Sequence, residues 1–234
     1  MNDMRTFSTA EARVGVNDYV RGVYNWMAAG LGVTGIVAYF VATSPAMLQA
    51  IFGSGLFWLL IIAQLGLVFA ISGFISRISS GTATGLFLLY SALMGVTLSS
   101  IFIIYTSESI VSVFFICAGT FIACSIYGWT TKKDLTSWGS FFFMGLVGII
   151  IASIVNIFMK SSVLHMMISY IGVFVFVGLT IYDTNKIKQM AMSQPADVDA
   201  STIRKGAIIG ALSLYLDFIN LFLMLLRIFG SSRN

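Results

Sequence analysis

Seven apolar runs of about twenty residues each punctuate this 234-residue chain, near 23–43, 55–75, 83–105, 109–130, 139–159, 163–187 and 207–229. About twenty residues is what an α-helix needs to cross a hydrocarbon core about 30 Å thick. Inside that core no water bonds a free N–H or C=O, so each run must satisfy its own backbone, as a helix does. The expected fold is all-α: a polytopic membrane protein with seven transmembrane helices. Composition agrees, since 58% of the residues are hydrophobic and 9% charged, where a soluble domain carries about 25% charged residues.

The segments between the runs set the organisation. Residues 1–22, MNDMRTFSTAEARVGVNDYVRG, mix Arg with acids and hold no apolar stretch. They predict a cytoplasmic N-terminal segment rather than a cleavable signal peptide, followed by one transmembrane domain over 23–230. Pro45, in TSPA at 43–46, disfavours helix at the residue before it and closes the first span; GSG at 53–55 opens the second. The one long connection is QMAMSQPADVDASTIRKG, 189–206. It is polar and interrupted by Pro195, which predicts a mobile loop.

Ten Lys and Arg fall on one side of the membrane so divided: Arg5, Arg13, Arg21, Arg77, Lys132, Lys133, Lys186, Lys188, Arg204 and Lys205. The other side has three, Lys160, Arg227 and Arg233. Cytoplasmic loops retain Lys and Arg, so the N-terminus is expected in the cytoplasm and, after seven crossings, the C-terminus outside. The net charge of +4 is scattered over these loops without a continuous patch, which argues against nucleic acid as a partner.

Two acids lie within the runs, Asp183 in GLTIYDTNKIK and Asp217 in LSLYLDFINLFLMLLRIFG. A charge near the bilayer centre costs about 2.5–3.5 kcal/mol on insertion scales, so such a residue has a partner and a task. The sixth and seventh helices are consecutive and antiparallel, which makes each acid the best available partner for the other. On the seventh helix Ser213, Asp217 and Asn220 recur at i, i+4 and i+7 and form one polar stripe. Two carboxyls held together in a low dielectric cannot both ionise cheaply, so they are expected to share a proton and titrate as a pair. When both ionise, a hard divalent cation relieves the repulsion, and calcium prefers oxygen ligands. Calcium and protons then compete for one site. Arg77 approaches from the same side and is a candidate counter-ion for Asp183.

Other signals carry less. Gly30, Gly32 and Gly35 spell G-x-G-x-x-G inside an apolar helix with no preceding strand, so they do not predict dinucleotide binding. With the spaced pairs Gly81/Gly85 and Gly206/Gly210 they predict close helix approach or helix ends. His165 is the only histidine and makes no metal site. Cys117 and Cys124 sit on one helix about 10 Å apart along its axis, too far for a mutual disulfide, and are expected to be small buried hydrophobes. The two acids also outline an intramembrane aspartyl protease, but LYLD stands where that chemistry uses G-x-G-D, and no P-A-L occurs. No enzyme activity and no resident cofactor are expected.

LSLYLDFINLFLMLLRIFG, IYDTNKIK and TKKDLT (131–136) resemble the Bax inhibitor-1 family, also called transmembrane Bax inhibitor motif proteins, and most closely its bacterial inner-membrane members. The resemblance covers roughly residues 20–230. It implies seven membrane helices around a central C-terminal helix. It further implies a pH-sensitive calcium leak channel of the plasma membrane, in which a hydrogen-bonded aspartate pair senses protons. The aspartate of the family's Y-D motif falls on Asp183 and that of its L-Y-L-D-F motif on Asp217; the arginine that latches the closed pore corresponds to Arg77. Calcium is then a permeating or transiently bound ion. The alternative reading is a non-conducting regulator of another membrane protein, a protease or a channel.

Overall fold

Because lipid makes each apolar run close its own hydrogen bonds, helix formation here is a local matter, and the computed structural model has every expected span helical. The structure describes residues 3–193 and 198–233, with side chains from Val16 onward. Among these residues the helices are α1 (Asp3–Ala42), α2 (Pro45–Phe52), α3 (Leu56–Phe74), α4 (Ser80–Leu98), α5 (Ile101–Ile104), α6 (Ser107–Thr130), α7 (Thr136–Met159), α8 (Ser162–Met192) and α9 (Ala200–Phe229). Seven stretches are long and apolar enough to cross a membrane: Val16–Ala42, Leu56–Phe74, Ser80–Ile104, Ser107–Thr130, Thr136–Met159, Ser162–Met192 and Ala200–Phe229. The chain is an all-α polytopic membrane protein. Its last helix is the most enclosed: 72% of the most apolar window of α9 is buried, against 11% in α3 and α7.

Three boundaries differ from expectation, each for a physical reason. Helix α1 runs unbroken from Asp3, since no proline interrupts it, and its buried Tyr19 donates to the Gly206 carbonyl at 3.2 Å. Pro45 ends one helix and begins another: Ser44 accepts from the Met47 amide and Pro45 occupies the first turn of α2, where its missing N–H costs nothing. The long polar connection contracts to residues 193–199, because α8 continues to Met192 and α9 starts at Ala200. Residues 194–197, with Pro195 and its expected mobility, lie outside the described residues. Asp199 caps α9, accepting from the Thr202 amide at 3.1 Å and the Thr202 hydroxyl at 2.6 Å.

By contacts the chain groups into two units, Met1–Ile104 with Lys188–Tyr215, and Tyr105–Ile187 with Leu216–Asn234. In the first, α1 lies close on α4. A Cβ on Gly30 would meet the Phe87 ring at 2.7 Å, and one on Gly95 would meet the Thr34 carbonyl at 2.6 Å. Gly32 and Gly35 face open space, as does Gly85, so the spacing marked close approach at Gly30 alone of that trio. Thr34 donates to the Ser91 carbonyl at 2.8 Å and, its one proton used, accepts from Tyr215 at 2.6 Å. Gln64 donates to the Leu93 carbonyl and the Thr97 hydroxyl.

In the second unit α6, α7, most of α8 and the later half of α9 pack through glycines. Gly139 leaves room for the Tyr182 ring and Gly178 for the Phe142 ring; Gly145 admits Val175. Phe114 and Phe121 of α6 meet Phe218 edge-on, with centroids 5.7 and 5.4 Å apart. Cys117 and Cys124 are buried free thiols, as expected, and the Cys117 thiol reaches the Phe218 carbonyl at 3.7 Å.

Candidate functional site

Both intramembrane acids belong to the second unit, and the packing of α8 determines where Asp183 faces. Ile181, Thr184 and Asn185 take the side against α6: a Cβ on Gly128 would meet the Ile181 carbonyl at 2.5 Å and Thr184 Cβ at 3.0 Å, and Asn185 Nδ2 donates to the Gly128 carbonyl at 3.0 Å. Tyr182 takes the side against α7, over Gly139. Asp183 therefore turns to the remaining side. That side belongs to α9, because Gly172, about three turns earlier on the same face, lies against Met224, whose Cγ would stand 2.8 Å from an added Cβ.

Asp217 sits about two turns before Met224 on the matching face of α9. The helices are antiparallel and helical side chains lean towards their own N-termini, so the two carboxyls lean towards each other. Asp217 is 5% exposed and its Oδ2, fully enclosed, has no hydrogen-bond partner; Asp183 is partly buried, with Lys186 one turn along α8.

The other expected residues are placed differently. Asn220 donates back to the Leu216 carbonyl of its own helix at 2.8 Å, so its amide is occupied locally. Ser213, partly buried, and Arg77 both fall in the first unit. The Arg77 guanidinium lies 5.9 Å from the centroid of the Phe74 ring, a cation–π contact within its own turn. Two residues that sequence reasoning passed over share the site's character: Ser125 Oγ and Thr184 Oγ1 are buried without a hydrogen-bond partner, as Asp217 Oδ2 is. Nothing in their local sequence marks them, since serines and threonines are common in apolar helices.

Outside the spans, two carboxylates are held ionised by contacts at helix starts. The Thr136 hydroxyl and amide hold Asp134 below the usual carboxylate range, and the Thr202 hydroxyl and amide do the same to Asp199. Among the described residues no group of three or more His, Cys, Asp or Glu gathers.

The family described as "Inhibitor of apoptosis-promoting Bax1" matches residues 16–234. This chain belongs to the Bax inhibitor-1 family. Among its relatives, the inner membrane protein YbhL of Escherichia coli K12 is 53% identical over 230 residues, 98% of each chain. An uncharacterised protein of Borreliella burgdorferi is 50% identical over 219 residues, 93% of this chain and 94% of that one. A Streptococcus pyogenes membrane protein, M6_Spy0327, is 35% identical over 240 residues, covering 98% of this chain. Family membership thus extends over both units, including the two helices that carry the acids.

Proposed function

We propose that this Bax inhibitor-1 family protein is a pH-sensitive calcium leak channel of the bacterial inner membrane, with Asp183 and Asp217 as its proton sensor and gate. It is not an enzyme and needs no resident cofactor. The reading rests on one observation, the burial of Asp217 on a face of α9 that meets the face of α8 bearing Asp183. A buried acid beside a second acid is neutral or proton-sharing at low cost and repelled when both ionise. Protonation therefore favours the packed bundle, whereas ionisation drives α8 and α9 apart at this level and offers oxygen ligands to calcium. Acid closes the leak and alkali opens it.

The inner membrane as location is supported by seven spans and by the printed name of the Escherichia coli relative. The Lys and Arg bias supports a cytoplasmic N-terminus and an external C-terminus. Arg77 is proposed, from the family resemblance alone, as a latch of the closed state.

The decisive experiment is calcium-dye flux into liposomes that contain only the purified protein, at pH 6 and pH 8. The expected result is faster entry at the higher pH, with the difference abolished by Asp217→Asn, which keeps the shape and removes the titration. Unchanged flux and unchanged pH dependence in Asp217→Asn would refute the gate. Silence of the unaltered protein would instead favour the non-conducting regulator.

A further inference from the structure

Calcium takes six to eight oxygen ligands, and two aspartates supply too few; no third acid, histidine or cysteine joins them among the described residues. Hydroxyl oxygens are neutral donors that could join them. Serines and threonines within helices commonly turn their hydroxyl back to the carbonyl one turn earlier, and in this unit four do. Thr120 and Thr130 on α6 donate to Ile116 and Ile126 at 2.9 and 2.8 Å; Ser169 and Thr180 on α8 donate to His165 and Phe176 at 3.0 and 2.7 Å. Ser125 and Thr184, on the same two helices, are 9% and 1% exposed, yet their oxygens have no partner.

Their position gives this meaning. Thr184 lies about 100° round α8 from Asp183, on the flank between the stripe that meets α9 and the stripe that meets α6, and away from Tyr182 and α7. Ser125 stands one turn before Gly128, the glycine that Thr184 packs against, and one turn after Phe121, whose ring meets Phe218 next to Asp217. The three enclosed, unpartnered oxygens thus come from α6, α8 and α9 where those helices converge.

We infer that the hydroxyls of Ser125 and Thr184, which do not bond back to their own helices, are cation ligands that complete the Asp183–Asp217 site. This rests on the calcium reading of the aspartate pair and adds to it the neutral donors. A hydroxyl contributes an oxygen without a charge, so it shortens the list of waters calcium must keep while adding no repulsion between anions.

The test uses radioactive calcium binding to the full chain in lipid nanodiscs, alongside the liposome flux. Thr184→Val, which keeps the shape, and Ser125→Ala are each expected to weaken calcium binding about tenfold, the size of one lost contact to a charged group, and to slow flux in parallel. Thr184→Ser, which restores the hydroxyl, should return both to within about twofold. Thermal melting identifies any variant that has lost its fold, and the Thr184→Ser rescue separates ligation from packing. If both hydroxyl-deleted variants bind and pass calcium like the unaltered protein while Asp217→Asn does not, the hydroxyls are not ligands and the aspartate reading stands. If the unaltered protein binds calcium without passing it, and the variants weaken that binding, the ligands stand and the leak falls. If it binds none at all, both fall.

Discussion

At the scale of single residues, glycine positions decide how near the helices come. Gly128 and Gly119 lie on the same helix, but a Cβ on Gly128 would meet the Ile181 carbonyl at 2.5 Å whereas one on Gly119 would meet nothing within 4 Å. Gly128→Ala is therefore expected to destabilise by about 1–3 kcal/mol, because rigid backbone of α8 must move. Gly119→Ala is expected to be neutral or to stabilise by up to about 1 kcal/mol through helix propensity alone. Thermal melting of the purified protein in detergent checks both, and equal effects would show that α6 and α8 are not in close contact there. The two acids were legible as residues: an ionisable group inside an apolar run stands out against its neighbours. Ser125 and Thr184 were not, because a hydroxyl's role depends on whether its own helix carbonyl is its partner, and only coordinates show that.

At the scale of elements, an ionised carboxylate holds the start of both α7 and α9. Asp199 and Asp134 both lie below the ordinary carboxylate range because they accept from a threonine hydroxyl and amide in the first turn. A carboxyl lowered in the folded state stabilises fully above its unfolded value, and that contribution disappears as pH falls through the folded value. Asp199→Ala should therefore melt below the unaltered protein at pH 7, with the gap closing only as pH falls below the usual carboxylate range; a gap independent of pH would argue against the ionised cap. The spans themselves were readable from run length. Their ends were less so, since the D-A-S-T cap of α9 sits in a stretch whose polarity and proline suggested a loop, and since Pro45 serves as both a stop and a start.

At the scale of the whole molecule, the charge bias makes a prediction about direction. Alkaline phosphatase fused after Asn234 should be active in intact cells and should be inactive when fused in the turn after Arg77; the reverse pattern would overturn the proposed orientation and place the Lys-rich loops outside. The amino-acid sequence determined the number of spans, the all-α class and the presence of two intramembrane acids. These depend on each segment and its solvent alone: lipid leaves a chain no option but to bond to itself. The tertiary structure decided which face of α8 Asp183 occupies, that Asn220 bonds back to its own helix, and that the hydroxyls of Ser125 and Thr184 are buried without a partner. Such facts depend on contacts between distant segments, set by where glycines let rings and backbones meet, and no local pattern encodes them.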